Sequence, residues 1–232
     1  MEEIPIYSPY LTALADLFYP ETCVGCERRA SDVLCRTCFD ALPRVGSPVC
    51  ARCGLPTAFA TFVCKECKNV DFGFASARAP LKYDGVGKKL VHALKYRGYK
   101  RVVGKLAAPL MLQVLGNTRF DAVVPVPLHR SRLRKRGFNQ AELLARGVAE
   151  KMKATVSDTL EVVRSTRDQV ELSAAQRRAN VAGAYSATGP LRGKILLVDD
   201  VFTTGATMSA CATSLVRAGA QEVHALSLCR TC

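Results

Sequence analysis

The segment Ile195-Leu196-Leu197-Val198-Asp199-Asp200-Val201-Phe202-Thr203-Thr204-Gly205-Ala206-Thr207 constrains the chain more than any other. Four consecutive apolar residues that end on two acids read as a strand buried on both faces of a parallel sheet. In open α/β sheets a ligand sits beyond the carboxyl ends of the strands, where Asp199 and Asp200 are expected to project. The turn that follows has the parts of a phosphate cradle. Gly205 permits close backbone approach, and Thr203, Thr204 and Thr207 offer hydroxyl donors. A helix starting near Gly205 turns its free N–H groups and positive dipole end toward an anion. A phosphate cradle beside two carboxylates suits a sugar phosphate, because carboxylates accept hydrogen bonds from ribose hydroxyls. An Asx-type turn capping an ordinary helix is the alternative reading.

Strand and helix patterns alternate through the last two thirds of the chain. Ala75 to Tyr83 reads as an edge strand, Val86 to Tyr96 and Arg101 to Leu115 as helices, and Phe120 to Val126 as a buried strand. Phe138 to Met152 reads as an amphipathic helix and Leu160 to Val163 as a short strand. Ile195 to Val198 is the central strand, Ala206 to Arg217 a helix and Glu222 to Leu228 a last strand. This alternation predicts an α/β fold, a mostly parallel sheet with helices on both faces. The composition, 49% hydrophobic and 23% charged, is that of an ordinary globular protein. Met1-Glu2-Glu3 lacks the basic segment and apolar core of a secretory signal, and no apolar stretch is long enough to span a bilayer. A cytoplasmic protein with no membrane insertion is expected.

Eight of the eleven cysteines form four Cys-x-x-Cys pairs: Cys23/Cys26, Cys35/Cys38, Cys50/Cys53 and Cys64/Cys67. In a reducing compartment such pairs are zinc knuckles, and four of them make two closed, structural Cys₄ sites. Sequential pairing of the knuckles is the simpler arrangement and cross-bracing the alternative. A disulfide scaffold is the competing reading of the same cysteines. The chain divides near Asn69 to Phe74, which predicts a small N-terminal double zinc ribbon over residues 17–70 and a second domain over 75–228. Cys229 and Cys232 form a fifth pair at the C-terminus, read as a frayed dithiol, with a redox pair or spare metal ligand as alternatives. Cys211 reads as a helix core residue.

The formal net charge is +13, and eight thiolates with two Zn²⁺ bring it to roughly +9. An acidic partner is therefore expected. The basic residues concentrate after a strand that stops at Pro125 and Pro127: His129 and Arg130 are followed by Arg132, Arg134, Lys135 and Arg136. Guanidinium groups pair bidentately with phosphate oxygens, and prolines stiffen the loop that presents them. The segment Lys88 to Arg101, with Lys95, Lys100 and Arg101 beside Tyr96 and Tyr99, combines cations that can hold phosphates with rings on which bases can stack. Solvated or packed helix faces are the alternative for both stretches.

The strand, acid pair and Thr-Thr-Gly-x-Thr turn resemble the signature of the type I phosphoribosyltransferases. The resemblance implies that Asp199 and Asp200 hold the ribose hydroxyls of phosphoribosyl pyrophosphate (PRPP). It also implies that Val201, Phe202, Thr203, Thr204, Gly205, Ala206 and Thr207 hold the 5′-phosphate, and that Pro127, Leu128, His129 and Arg130 receive the pyrophosphate. Mg²⁺ would bridge pyrophosphate and ribose oxygens, leaving catalysis to positioning and charge stabilisation. Pro125-Val126-Pro127-Leu128-His129 and Arg136-Gly137-Phe138-Asn139-Gln140 narrow the match. So do His92-Ala93-Leu94-Lys95-Tyr96, Arg164-Ser165-Thr166-Arg167-Asp168-Gln169 and Gln176-Arg177-Arg178-Ala179-Asn180-Val181. Together with the ribbon these stretches are similar to the ComF/GntX family, phosphoribosyltransferase-like proteins linked to DNA uptake in natural competence. The resemblance implies PRPP binding, handling of single-stranded DNA, and a competence helicase or other DNA-processing proteins as partners. An active phosphoribosyltransferase acting on an amine or nucleobase is the alternative. Arg164 to Tyr185 falls where such transferases carry a hood, and Gln169, Arg177, Arg178 and Asn180 are candidates there to touch substrate or DNA.

Overall fold

The computed structural model describes residues 22–68, 70–97, 102–164 and 174–232. Its centre is a five-stranded, all-parallel sheet. Strand β7 (Glu222–Arg230) lies between β6 (Lys194–Phe202) and the edge pieces β1 (Ser76–Arg78) and β2 (Leu81–Lys82). β3 (Ala122–Pro125) lies on the far side of β6. The edge strand expected over 75–83 is these two pieces, which keep one register on β7 from Ser76–His224 to Lys82–Arg230. Pro80 has no N–H to give the ladder, so the strand is interrupted there.

Alternation along each strand divides the core between two faces. Leu196, Val198, Leu226 and Leu228 pack with Leu90 and Leu94 of α2 (Gly85–Arg97), Met111 of α3 (Ala108–Gln113) and Leu144 and Val148 of α5 (Gln140–Met152). Ile195, Leu197, Val223 and Ala225 face the other way, onto Met208, Cys211 and Leu215 of α7 (Ala206–Arg217). Helices therefore cover both faces, and Cys211 is the core residue its sequence context indicates. The helix expected over 101–115 is α3, entered through a π turn at Val103–Ala107. Pro109 stands at the start of α3. Its ring would clash with the carbonyl four residues back in an α-helical register, and the wider turn avoids this. The strand at Leu160–Val162 (β4) lies outside the main sheet and pairs antiparallel with β5 (Tyr185–Ala187). Helix α6 (Ala174–Val181) precedes β5. Among the described residues no helix is long and apolar enough to cross a membrane.

The cysteine knuckles gather sequentially, Cys23, Cys26, Cys35 and Cys38 in one group and Cys50, Cys53, Cys64 and Cys67 in the other. A tetrahedral ZnS₄ centre with Zn–S bonds of about 2.3 Å requires sulfurs about 3.8 Å apart. The separations are 3.8 Å for Cys26–Cys35, 3.7 Å for Cys53–Cys64 and 3.6 Å for Cys64–Cys67, far beyond a disulfide bond. The N–H groups of Gly25 and Cys35 donate to Cys23 Sγ, and that of Cys64 donates to Cys50 Sγ, at 3.2–3.3 Å. Burial pushes the Cys23 thiol up, but these donors outweigh it and bring it down to about 6; Cys50 comes down to about 7 in the same way. The residues fit two structural zinc ions.

The ribbon, including α1 (Arg36–Asp40), lies along the β1–β2 edge of the sheet. Ala77 N–H donates to Arg52 O at 2.8 Å, Lys82 N–H to Pro43 O at 2.7 Å and Val45 N–H to Pro80 O at 2.9 Å. The ribbon thus covers an edge that would otherwise present unpaired backbone groups. Lys89 Nζ of α2 reaches Gly25 O at 2.5 Å. The C-terminal cysteine pair is not frayed. β7 continues through Arg230, so Cys229 is fully buried against Gly87 O, with its thiol pushed up to about 12 by burial, while Cys232 lies beyond the strand and is exposed.

A Cβ on Gly25 would lie 2.7 Å from Cys38 Sγ. Replacing Gly25 with Ala is expected to lower bound zinc from two ions per chain to one and to lower the melting temperature by several degrees. Metal release read with a chromophoric chelator, beside a thermal melt, checks both.

Candidate functional site

The two sides of β6 differ at its carboxyl end. β7 accompanies it to Phe202–Arg230, whereas β3 stops with Pro125 opposite Val198. Sequence pattern ends the strand at Val198; the long β7 extends it through the acids. Asp199 and Asp200 therefore lie in β6 beyond the last β3 pair, at the mouth of a cleft of about 490 Å³. Its walls are the loop after β3, the turn from β6 into α7, the end of α2, and Tyr185.

The turn into α7 has a cradle geometry. Gly205 is the N-cap residue with φ +75°, and a Cβ there would meet the ring of Phe202 at 2.6 Å and that of Phe72 at 2.9 Å. Only glycine combines that dihedral with that closeness. Val201, Phe202, Thr203, Gly205, Ala206 and Thr207 all line the cleft. Thr204 is half-buried, its Oγ1 accepting from Ala206 N–H at 3.4 Å, and is not on the wall.

The basic stretch forms a short helix of its own, α4 (Arg130–Arg136), which hydrophobic periodicity does not mark. His129 caps it: Nδ1 accepts from Ser131 N–H at 3.3 Å and lies 2.8 Å from Ser131 Oγ. Gly137, at φ +82°, ends it. Asn139 then caps α5 by accepting from Ala141 N–H, and its Nδ2 holds Val126 O at 3.0 Å, which ties the loop after β3 to α5. Helical spacing divides the cations. Arg132 and Arg136 lie on the cleft with Pro127 and Leu128, whereas His129, Arg130, Arg134 and Lys135 do not; Arg130, Arg134 and Lys135 are exposed. Arg136 also donates to Gln140 Oε1.

Lys95 and Tyr96 line the cleft rather than a separate surface, and Tyr96 is largely exposed at its rim. Lys100, Arg101, Tyr99 and Gln169, and the side chain of Arg178, lie outside the described residues. Arg177 lines the cleft, while Asn180 O accepts from Arg164. Tyr83 and Tyr185 are wall residues that sequence reasoning misses. Neither belongs to a local motif; pairing of distant strands brings them in.

The acids are unequal. Lys95 Nζ lies 2.7 Å from Asp200 Oδ2, and Asp200 is 7% exposed. Burial disfavours the Lys95 ammonium, but Asp200 and then Asp199 more than offset it, raising its pKa. Burial and the neighbouring Asp200 charge push the Asp199 carboxyl well above the usual carboxylate range. The site thus sets Asp200 against a lysine and places beside it an acid, Asp199, whose neutral form burial favours. A cation or a set of hydroxyl donors at Asp199 would favour its ionised form.

Lys95→Met leaves Asp200 buried beside a second acid with no cation. Because Lys95 is 24% exposed, the loss should fall below that of a fully buried pair, at about 2 kcal/mol in urea unfolding near neutral pH. A Lys95→Met/Asp200→Asn double variant should recover most of it.

Residues 98–231 match the phosphoribosyl transferase domain family and residues 14–68 the double zinc ribbon domain family. DNA utilization protein YhgH of Salmonella typhimurium is 34% identical over 206 residues, 85% of this chain and 90% of that protein. Competence protein ComFC of Streptococcus pneumoniae is 30% identical over 88% of this chain and 90% of its own length. Competence protein F of Haemophilus influenzae is 27% identical over 92% and 98%. The chain belongs to the phosphoribosyl transferase domain family, in its ComF/GntX group, which carries a double zinc ribbon ahead of the transferase fold.

Proposed function

We propose that the cleft binds PRPP and that the protein handles single-stranded DNA in the cytoplasm during DNA uptake. One observation carries the first half: an acid pair and a glycine-started helix N-terminus share a single cleft with Arg132 and Arg136. In this reading Asp199 and Asp200 accept from the ribose hydroxyls. The Val201–Thr207 turn and the α7 dipole hold the 5′-phosphate. The loop at Pro127 and Leu128, with Arg132 and Arg136, receives the pyrophosphate. His129 sets the start of α4 and Arg130 extends its basic end. Mg²⁺, when bound, would neutralise the pyrophosphate charge near the acid pair. The ribbon over 17–70 and the transferase-like unit over 75–228 act as one body in this proposal.

The DNA half rests on the relatives' names, competence and DNA utilization, and on charge. Arg130, Arg134 and Lys135 are exposed on α4 next to the cleft, and Tyr96 offers an exposed ring at its rim. Cations beside an aromatic face suit a single strand, so a helicase or another DNA-processing protein is a fitting partner. The gathered, unbonded thiols suit a reducing cytoplasm. The intact acid pair keeps a second reading open, phosphoribosyl transfer to an amine or nucleobase, for which base-dependent pyrophosphate release is the assay.

Calorimetry of the zinc-loaded protein should show PRPP binding that needs Mg²⁺ and vanishes in an Asp199→Asn/Asp200→Asn variant. A folded wild type that ignores PRPP would sink this reading. Affinity for oligo-dT should fall steeply between about 50 and 200 mM salt. Removing Arg130, Arg134 and Lys135 together should flatten the log–log slope by about 2, at roughly 0.7 for each phosphate that is no longer neutralised.

A further inference from the structure

Arg230 ends β7 with only 4% of its surface exposed. A buried guanidinium is costly unless its donors and its charge are answered. Two of its donors are answered by backbone: Nη1 donates to Cys53 O, and Nε donates to Thr231 O at 3.2 Å. Its charge is not met by a carboxylate, since among the described residues none pairs with it. Through Cys53 O it touches the second Cys₄ site, whose four thiolates exceed one Zn²⁺ by two negative charges. Arg78 of β1 reaches the same knuckle, donating to Ala51 O at 2.9 Å. Gly54 presses against the sheet edge here, and a Cβ on it would lie 2.5 Å from Ala77 O.

The other face of Arg230 lies over the ring of Phe202, 5.3 Å from its centroid. Phe202 also meets Phe74 edge-on at 6.0 Å, and Phe74 stacks on Phe72 at 4.7 Å. Arg52, from inside the second knuckle, donates to Phe72 O at 2.7 Å. Phe72 and Phe202 are the two rings against which Gly205 packs. The backbone of the phosphate-loop glycine therefore rests on two aromatic rings, each held by an arginine bonded to, or belonging to, the Cys50–Cys53 knuckle.

We propose that the second zinc site is the back wall of the sugar-phosphate cleft, with Arg230 and Arg52 as positioning residues that set the Val201–Thr207 turn through Phe202 and Phe72. The proposal rests on the PRPP reading above and deepens it. The ribbon is then part of the ligand site at one remove. Loss of the second zinc loosens the knuckle whose Cys53 carbonyl anchors Arg230, Phe202 loses its cover, and the turn loosens while the pyrophosphate wall at Arg132 and Arg136 stays in place.

The test uses the zinc-loaded full chain and two probes, ribose 5-phosphate and inorganic pyrophosphate, titrated by calorimetry, with zinc content measured on each sample. Arg230→Met should keep both zinc ions, weaken ribose 5-phosphate about tenfold and leave pyrophosphate unchanged. Arg230→Lys should restore part of the loss, and Arg52→Met should weaken ribose 5-phosphate in the same selective way. A general loss of stability would weaken both probes alike. Should Arg230→Met fail to fold, Arg230→Lys and Arg52→Met decide. A wild type that binds neither probe overturns the PRPP reading and this one with it. A wild type that binds both, with variants that bind ribose 5-phosphate as tightly and retain their zinc, overturns the linkage alone.

Discussion

The unequal company of β6 underlies everything that happens at its carboxyl end. β7 pairs with it to Phe202–Arg230, while β3 leaves it after Val198. One long parallel pairing delivers three results at once. It holds two acids in extended backbone at an open edge, it brings Arg230 beside Phe202, and it aims the chain into α7 through Gly205. A shorter β7 would free the acid-bearing segment, and a longer β3 would cover it. The cleft is the gap between two strand lengths.

Charge placement follows from that geometry. Interiors tolerate ions only when each is answered, and here the answers come from elements far apart in sequence. Asp200 is met by Lys95 from α2, and Arg230 by the knuckle around Cys53. The first Cys₄ group packs near α2, where Lys89 reaches Gly25 O, and the second shares a core with Phe72 and Phe202, the rings against which Gly205 packs. Each half of the ribbon thus supports the element that carries one half of the cleft. This gives a physical reason for a small metal-stapled module to be packed along the sheet edge instead of tethered by a free linker.

Much of this was legible locally. The apolar run before Asp199, the glycine after Thr204 and the spacing of the knuckles each carry their physics within a dozen residues, and the strand, the cradle and the sequential sulfur groups appear where those patterns place them. Helix α7 has the bounds its periodicity indicates. Where local pattern fell short, a partner distant in sequence was responsible. β6 outran its apolar run because β7 stayed beside it; β4 left the main sheet because β5 was its partner; Cys229 is buried because β7 continues to Arg230. The basic stretch looks uniform in sequence, but one turn of helix sends Arg132 and Arg136 to the cleft and Arg134 and Lys135 to solvent.

The sequence alone determined the α/β architecture, the two sulfur clusters and the glycine turn after the acid pair, because hydrophobic period, ligand spacing and glycine dihedrals are short-range properties. Tertiary structure alone decided that Lys95 pairs with Asp200, that Tyr83 and Tyr185 line the cleft, and that Arg230 joins a cysteine knuckle to Phe202. Those contacts link residues up to 177 positions apart, and no local pattern encodes which distant strand ends will meet.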